Sequence, residues 1–189
     1  MKIIFATANE HKLDEVKSIC GNCGIEFALP EGDFNPVENG SSFEENSVIK
    51  AKEAYRLSKT YCLADDSGLC VNALNGAPGL YSARYAGTQD AKIEKLLNEL
   101  SDKNDRSAKF VCCMTLLNDS GDVIFQTIGE CFGSIVEERK GLNGFGYDPI
   151  FLVEGYSKTM AELSPDEKNK VSHRAVALKN VLKFLQSMP

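Results

Sequence analysis

The sequence predicts an α/β fold around a mixed sheet, and three patterns carry that expectation. The first third alternates short apolar runs with helix-periodic segments in the order β-α-β-α-β. Two long β-rich runs, Lys109–Leu117 and Val123–Val136, then flank the polar turn Asn118–Asp122, as hairpin strands do. The remaining chain supplies one more strand and further helix signals, so parallel and antiparallel pairing are both expected in one sheet.

Each element has its own local reason. Lys2–Ala6 reads as a buried strand. From His11 to Cys20 the period turns helical, with Leu13, Val16, Ile19 and Cys20 on one face. Ile25–Leu29 is a second short strand, and Pro30–Ser41 is a polar loop punctuated by Gly32, Pro36 and Gly40. Ser42 with Glu45 three residues on forms a capping box, opening a helix that runs to about Ser58. Tyr61–Ala64 is a strand ending at Asp65–Asp66–Ser67–Gly68, and a helix starting at Thr88 or Asp90 extends to Leu100. After the hairpin comes the strand Pro149–Val153. Ser164–Pro165–Asp166–Glu167 is a helix start with proline in the first turn. Val176, Leu178, Val181, Leu182 and Leu185 give the last helix its apolar face.

A chain of 189 residues with 43% hydrophobic and 25% charged residues has the make-up of an ordinary globular domain, with enough core to need neither disulfides nor a structural metal. One domain covering residues 1–189 is expected, in one or two lobes. No apolar run reaches the roughly 20 residues of a membrane helix, and the opening Met1–Ala6 is too short for a signal sequence. The expected compartment is cytoplasmic, with no membrane partner. Lys and Arg total 21 against 27 Asp and Glu, and the net charge of -6 argues against a nucleic-acid partner. A small phosphorylated ligand is not excluded, because a few cations suffice for a local pocket. Seven cysteines, an odd number, suit reduced thiols. Cys20 and Cys23 fall at a helix end before Gly24, not at a helix N-terminus, and so read as plain thiols. Cys112 and Cys113 read as small packing residues.

Three polar clusters carry chemistry. Thr7–Ala8–Asn9–Glu10–His11–Lys12 joins the first strand to the first helix, where backbone N–H groups and the helix dipole favour phosphate. Asn9 as an ordinary N-cap and Lys12 as a solvated residue is the equal alternative, and the run is not a Walker loop. The second cluster is acidic: Glu38, Glu44, Glu45, Asp65 and Asp66. Carboxylates of this kind suit magnesium. Glu44 reads better as part of a helix cap. One of the adjacent aspartates is expected to face the ligand while the other supports the turn; an Asx turn is the alternative for the pair. The third cluster is Gly144–Phe145–Gly146–Tyr147–Asp148–Pro149, with Lys168 and Ser172–His173–Arg174. Glycines beside an aromatic ring let backbone approach a flat ligand that the ring stacks on. Between the clusters, Gly76–Ala77–Pro78–Gly79 is a turn before Tyr81–Ser82–Ala83–Arg84. Lys50 reads as solvated unless its helix face turns toward the ligand.

Taken in order, these motifs resemble the inosine/xanthosine triphosphate pyrophosphatases, which clear non-standard purines from the nucleotide pool. The resemblance covers nearly the whole chain. It rests on Thr7-x-Asn9-x-x-Lys12, with Ala8 where many bacterial relatives have glycine; Ser42–Asn46; Ala64–Leu69; Gly76–Gly79 with Tyr81–Arg84; Phe145–Pro149; and Ser172–Arg174. Each fragment alone is weak, and six in order are specific.

The resemblance implies an elongated mixed sheet flanked by helices, with two lobes and a central cleft. It implies hydrolysis of ITP, dITP or XTP to the monophosphate and pyrophosphate, with Mg2+ and in a homodimer. It assigns Asp66 as catalytic base and, with Glu38, as metal ligand, Glu45 being the competing partner. It places substrate contacts at Thr7, Ala8, Asn9, Glu10, His11, Lys12, Ser67, Phe145, Gly146, Tyr147, Asp148, Lys168, His173 and Arg174, and the cations of Lys50 and Arg84 complete the expected set. Two other readings stand beside it: a related pyrophosphatase of the septum-inhibitor type acting on modified pyrimidines, and a nucleotide sensor without hydrolysis.

Overall fold

The structure is a computed structural model and describes residues 1–188. Six strands form one mixed sheet in the order β2-β1-β3-β4-β5-β6. They are β1 (Lys2–Phe5), β2 (Glu26–Ala28), β3 (Cys62–Val71), β4 (Ser107–Leu117), β5 (Val123–Ile135) and β6 (Phe151–Val153). β1 runs parallel to β2, with Ile3 opposite Phe27, and parallel to β3, with Ile4 opposite Cys62. β6 is antiparallel to β5, with Gly133 opposite Val153. The helices are α1 (Glu10–Cys20), α2 (Phe43–Ser58), α3 (Gln89–Glu99), α4 (Pro165–Val171) and α5 (His173–Ser187). The expected mixed α/β architecture is the one observed.

The chain divides into two compact units. One comprises Met1–Asp66, Cys112–Gly129 and the residues from His173 onward. The period of two along β1 organises its core. Ile3 and Phe5 pack with Leu13 and Val16 of α1 and with Leu178 and Val181 of α5. Ile4 and Ala6 face the other way, onto Ala51 and Ala54 of α2. The other unit comprises Ser67–Val111 and Glu130–Ser172. Its core joins Leu69 and Val71 of β3 to Ile93 and Leu96 of α3 and to Phe151 of β6. The rings of Phe110 and Phe151 lie 4.5 Å apart between centroids. Each fully buried Leu, Ile or Phe contributes about 1.5–3 kcal/mol over its exposed state, so each cluster stabilises its own unit.

The caps follow the sequence signals with one change. Thr88 accepts from Ala91 N at 3.1 Å, and Ser164 accepts from Glu167 N while the Glu167 carboxylate accepts from Ser164 N. Ser42 accepts from Glu45 N at 3.1 Å, but the Glu45 carboxylate reaches back one residue further, to Ser41 N and Oγ at 2.7 and 2.9 Å. The box expected at Ser42 is therefore half formed there and completed by Ser41.

Three expectations are corrected. The third strand does not stop at Ala64 but continues through Asp65–Asp66–Ser67–Gly68 to Val71. Those residues read as turn formers by type; in the strand the two carboxylates are paired with cations, which removes the cost of burying them. The strand expected at Pro149 starts at Phe151, because Asp148–Ile150 is a 3-10 turn. Cys20 and Cys23, read as plain thiols, are joined in a disulfide: the turn after α1 brings their Cα atoms to 5.5 Å, within bridging range. Cys112 and Cys113 are buried packing residues on β4, as expected. Among the described residues no helix is long and apolar enough to cross a membrane.

Candidate active site

β1 ends at Phe5, and Ala6–Asn9 turns the chain into α1. Thr7 is buried, and its Oγ1 accepts from Asn9 N at 3.0 Å. Asn9 is the N-cap, its Oδ1 accepting from His11 N at 3.0 Å. The capping alternative for Asn9 thus holds as geometry, and it leaves Ala8, Glu10 and His11 exposed around the first turn of the helix. Lys12 is not a solvated residue. It points inward, and its Nζ donates to Asp65 Oδ1 at 3.1 Å.

Adjacent strand residues face opposite ways, and this alternation sorts the two aspartates. Asp65 turns to the side of α1 and α5. There Arg174 Nε and Nη2 donate to its Oδ2 at 3.2 and 2.7 Å, while Arg174 Nη1 donates to Glu15 of α1. Burial alone would raise the pKa of Asp65, but the charges of Lys12, Arg174 and Lys50 outweigh it and hold the carboxyl well below the usual carboxylate range. Lys12 is shifted down by its burial, against the pull of Asp65.

Asp66 turns to α2. Lys50 Nζ donates to its Oδ1 at 2.5 Å and lies 3.6 Å from Glu38 Oε2 in the loop before α2. Burial raises Asp66 above the ordinary value, with Lys50 opposing and Glu38 adding to the rise. A buried carboxylate lifted in this way is a stronger proton acceptor than an exposed one. Lys50 is shifted up: burial opposes its charge, and Asp65, Asp66 and Glu38 overcome that. α2 is fixed one turn earlier by Ser47, whose Oγ lies 2.6 Å from Thr115 Oγ1 on β4. Glu45, the competing metal partner, is committed to Ser41.

Glu38 and Asp66 offer hard oxygens already directed at one cationic atom. Among the described residues no group of three or more His, Cys, Asp or Glu is arranged to hold a metal. Magnesium is commonly held by one or two carboxylates, with water and substrate phosphates completing its shell, so this two-carboxylate set fits it.

His173 and Arg174 open α5, both buried. Gly129 of β5 permits this approach: a Cβ there would fall 2.2 Å from His173 O. In the same unit, then, lie Thr7–Lys12, Glu38, Lys50, Asp66, His173 and Arg174.

The remaining expected residues lie in the other unit. Ser67 follows Asp66 on β3 and is half-buried. Gly68 then brings β3 against the turn after Pro78, where Ser82 Oγ accepts from Leu69 N at 2.9 Å and donates to Gly79 O at 2.6 Å. Arg84 is exposed, its guanidinium 5.5 Å from the centre of the Tyr81 ring. In the 144–148 loop Asp148 Oδ2 accepts from Phe145 N at 3.0 Å and from Lys168 Nζ at 2.7 Å. The same ammonium sits 5.3 Å from the centre of the Phe145 ring. Gly144 has φ +73°, and a Cβ on it would strike Asp148 Oδ2 at 2.1 Å. Tyr147 is buried, with its hydroxyl donating to Ser82 O at 3.1 Å, and Gly146 carries the left-handed φ of +67°. Glu15 and Ser82, like Gly129, were given no role in the sequence reading. Glu15 had a signal, its three-residue spacing from Lys12 on one helix face. Ser82 had none beyond its place in Tyr-Ser-Ala-Arg.

Comparison with known proteins agrees across the full length. A protein of Treponema denticola named dITP/XTP pyrophosphatase is 46% identical, over 98% of this chain and 99% of its own. One of Oceanobacillus iheyensis with the same name is 45% identical, over 99% of each. Among solved structures, a Ham1 protein from Coxiella burnetii superposes with a TM-score of 0.88 at 40% identity, covering all of both chains. The Staphylococcus aureus Ham1 protein gives 0.85 at 40% identity over 98% of each. Residues 3–184 match the Ham1 family, and with relatives this similar over nearly the whole length the chain belongs to it.

Proposed function

We propose that this protein hydrolyses dITP, ITP and XTP to the nucleoside monophosphate and pyrophosphate, with Mg2+, clearing non-standard purines from the nucleotide pool. The observation that carries the reading is the group formed by Glu38, Lys50 and Asp66: a raised carboxylate and a second acid on one cationic atom, in the unit that also holds Thr7–Lys12. The names of the relatives, dITP/XTP pyrophosphatase, support the same reaction.

In this reading Asp66 orients the attacking water and takes its proton. Glu38 and Asp66 would hold the metal, which when bound would supply charge neutralisation along the phosphate chain. The first turn of α1, with Ala8, Glu10 and His11 exposed, receives phosphate oxygens through its N–H groups. Lys12 and Lys50 add positive charge to the leaving pyrophosphate. Arg174 acts from within, fixing Asp65 and through it Lys12. In the other unit Ser67 and Lys168 are polar contacts, Phe145 lies against the base, and Gly146, Tyr147 and Asp148 shape the loop that holds it. Arg84 supplies a further exposed cation and His173 a contact for the base edge. A site that donates to a 6-oxo group leaves buried donors unpaired when the 6-amino group of adenine enters, and such mismatches discriminate by about 10⁴ or more. A homodimer in the cytoplasm, without nucleic-acid or membrane partners, completes the proposal.

The test is pyrophosphate release from ITP, dITP, XTP, GTP, ATP and a methylated pyrimidine triphosphate, with magnesium and with chelator. Magnesium-dependent turnover of ITP and XTP far above ATP is expected. Preference for the pyrimidine would transfer the assignment to the septum-inhibitor type. Tight nucleotide binding with no product would make the protein a sensor.

A further inference from the structure

Lys50 occupies an unusual position for a helix lysine. Its side chain is 8% exposed, with Asp66 at 9% and Glu38 at 33%, so this cation is buried between two acids at the edge of solvent. Asp65, next along the strand, already has Lys12 and Arg174 as hydrogen-bonded partners, and Lys50 donates instead to Asp66. One ammonium offsets half the charge of Glu38 and Asp66, whereas a divalent ion offsets all of it. A magnesium-sized ion binds carboxylate oxygen at about 2.0–2.1 Å. Bound between the two acids, it would draw on the same carboxylates that face the ammonium of Lys50, Asp66 Oδ1 at 2.5 Å and Glu38 Oε2 at 3.6 Å. Ser47 ties α2 to β4, so the helix is held and the four-carbon stem of Lys50 is the part left to move.

We infer that Lys50 is a cationic placeholder, competing with the divalent ion for Glu38 and Asp66 and turning to the phosphate chain only once that ion has arrived. The inference rests on the metal site of the proposed function. It gives Lys50 two successive partners: the carboxylates before metal binding, and a phosphate oxygen after it. The free protein then keeps its acids neutralised without holding metal tightly, and metal loading frees a cation for the substrate.

The experiment measures Mn2+ binding to nucleotide-free protein by calorimetry and by the loss of the free-ion electron paramagnetic resonance signal. Wild type is compared with Lys50→Met, Lys50→Gln and Lys50→Arg. Met and Gln, which leave the carboxylates without their cation, are expected to bind Mn2+ at least tenfold more tightly than wild type. Arg, which keeps the charge, stays within about threefold of it. The melting temperature of Met and Gln is expected to fall without metal and to rise more than wild type when Mn2+ is added, which also reports that they fold. Measurable binding that is equal or weaker in both neutral variants would overturn the placeholder while leaving the metal site in place. No binding by any of the four proteins would remove the metal site itself, and the placeholder with it.

Discussion

Arg174 and Asp65 meet at 2.7 Å with neither side chain reaching solvent, and that pair ties the start of α5 to the middle of β3. Glu15 holds the far side of the guanidinium, and Lys12 holds the other carboxylate oxygen. Two cations and two acids thus alternate in one buried chain. Removing Arg174 leaves Asp65 and Glu15 buried with too little positive charge, a defect that costs about 3–5 kcal/mol in comparable cases. Arg174→Met is expected to lose that much in urea unfolding. The double variant Asp65→Asn/Arg174→Met is expected to lose less than the sum of its two single changes. Additive losses would show that the pair is not coupled.

The neighbouring aspartates should separate cleanly by what they damage. Asp66→Asn keeps the shape of the side chain and its place beside Lys50, so stability is expected to change by about 1 kcal/mol or less. Loss of a general base costs about 10²–10⁴ in rate, and pyrophosphate release is expected to fall by that range. Asp65→Asn strikes stability first. A fully active Asp66→Asn protein would remove that residue from the chemistry.

Much of this arrangement was legible in the sequence, and the part that was not has a common cause. Helix starts at Ser42, Thr88 and Ser164 are local chemistry, a hydroxyl and an amide three residues away, and they were readable closely, with Asp90 the one competing start, beside Thr88. The extension of β3 through Asp65–Asp66–Ser67–Gly68 was not readable. Residue type favours a turn there, and the cations that make a strand tolerable come from α1, α2 and α5. The motif order picked out Lys12, Asp66, Asp148 and Lys168 but not which atoms they hold. Asp148 bonds the backbone of Phe145 and the ammonium of Lys168, a division of labour that depends on contacts 3 and 20 residues away in the chain. Gly129 carried no signal at all, because its reason is the carbonyl of His173 arriving from another element.

Gly68 makes a related point that can be tested. A Cβ at this position would lie 2.2 Å from Gly79 O and 2.8 Å from Ser82 Oγ, both held by the turn that carries Arg84. Overpacking of a fixed contact costs about 1–3 kcal/mol, and here the obstacle is backbone. Gly68→Ala is expected to lower stability at the upper end of that range and to expose the 79–84 turn to limited proteolysis. Gly76→Ala meets nothing within 4 Å but sits at φ +86°, so its cost is strain alone, about 1–2 kcal/mol. If Gly68→Ala proves the milder of the two, the close approach of that turn is not what the glycine serves.

The two aspartates also predict opposite effects of acid, measured with chelator present. Asp65 has its folded pKa depressed below the ordinary 3.8, by Lys12, Arg174 and Lys50 acting against burial. Between the folded and unfolded values the unfolded chain binds more protons. The stability Asp65 contributes is therefore complete above the unfolded pKa and is lost as pH falls below about 4. Asp66 has its folded pKa raised, by burial and Glu38 against Lys50, so the folded protein takes up that proton first and gains stability on the way down. Urea unfolding between about pH 6 and pH 3 tests both signs. Asp65→Asn is expected to flatten the acid limb and Asp66→Asn to steepen it. The same slope in Asp65→Asn as in wild type would mean that other carboxylates, not this buried one, govern the response to acid.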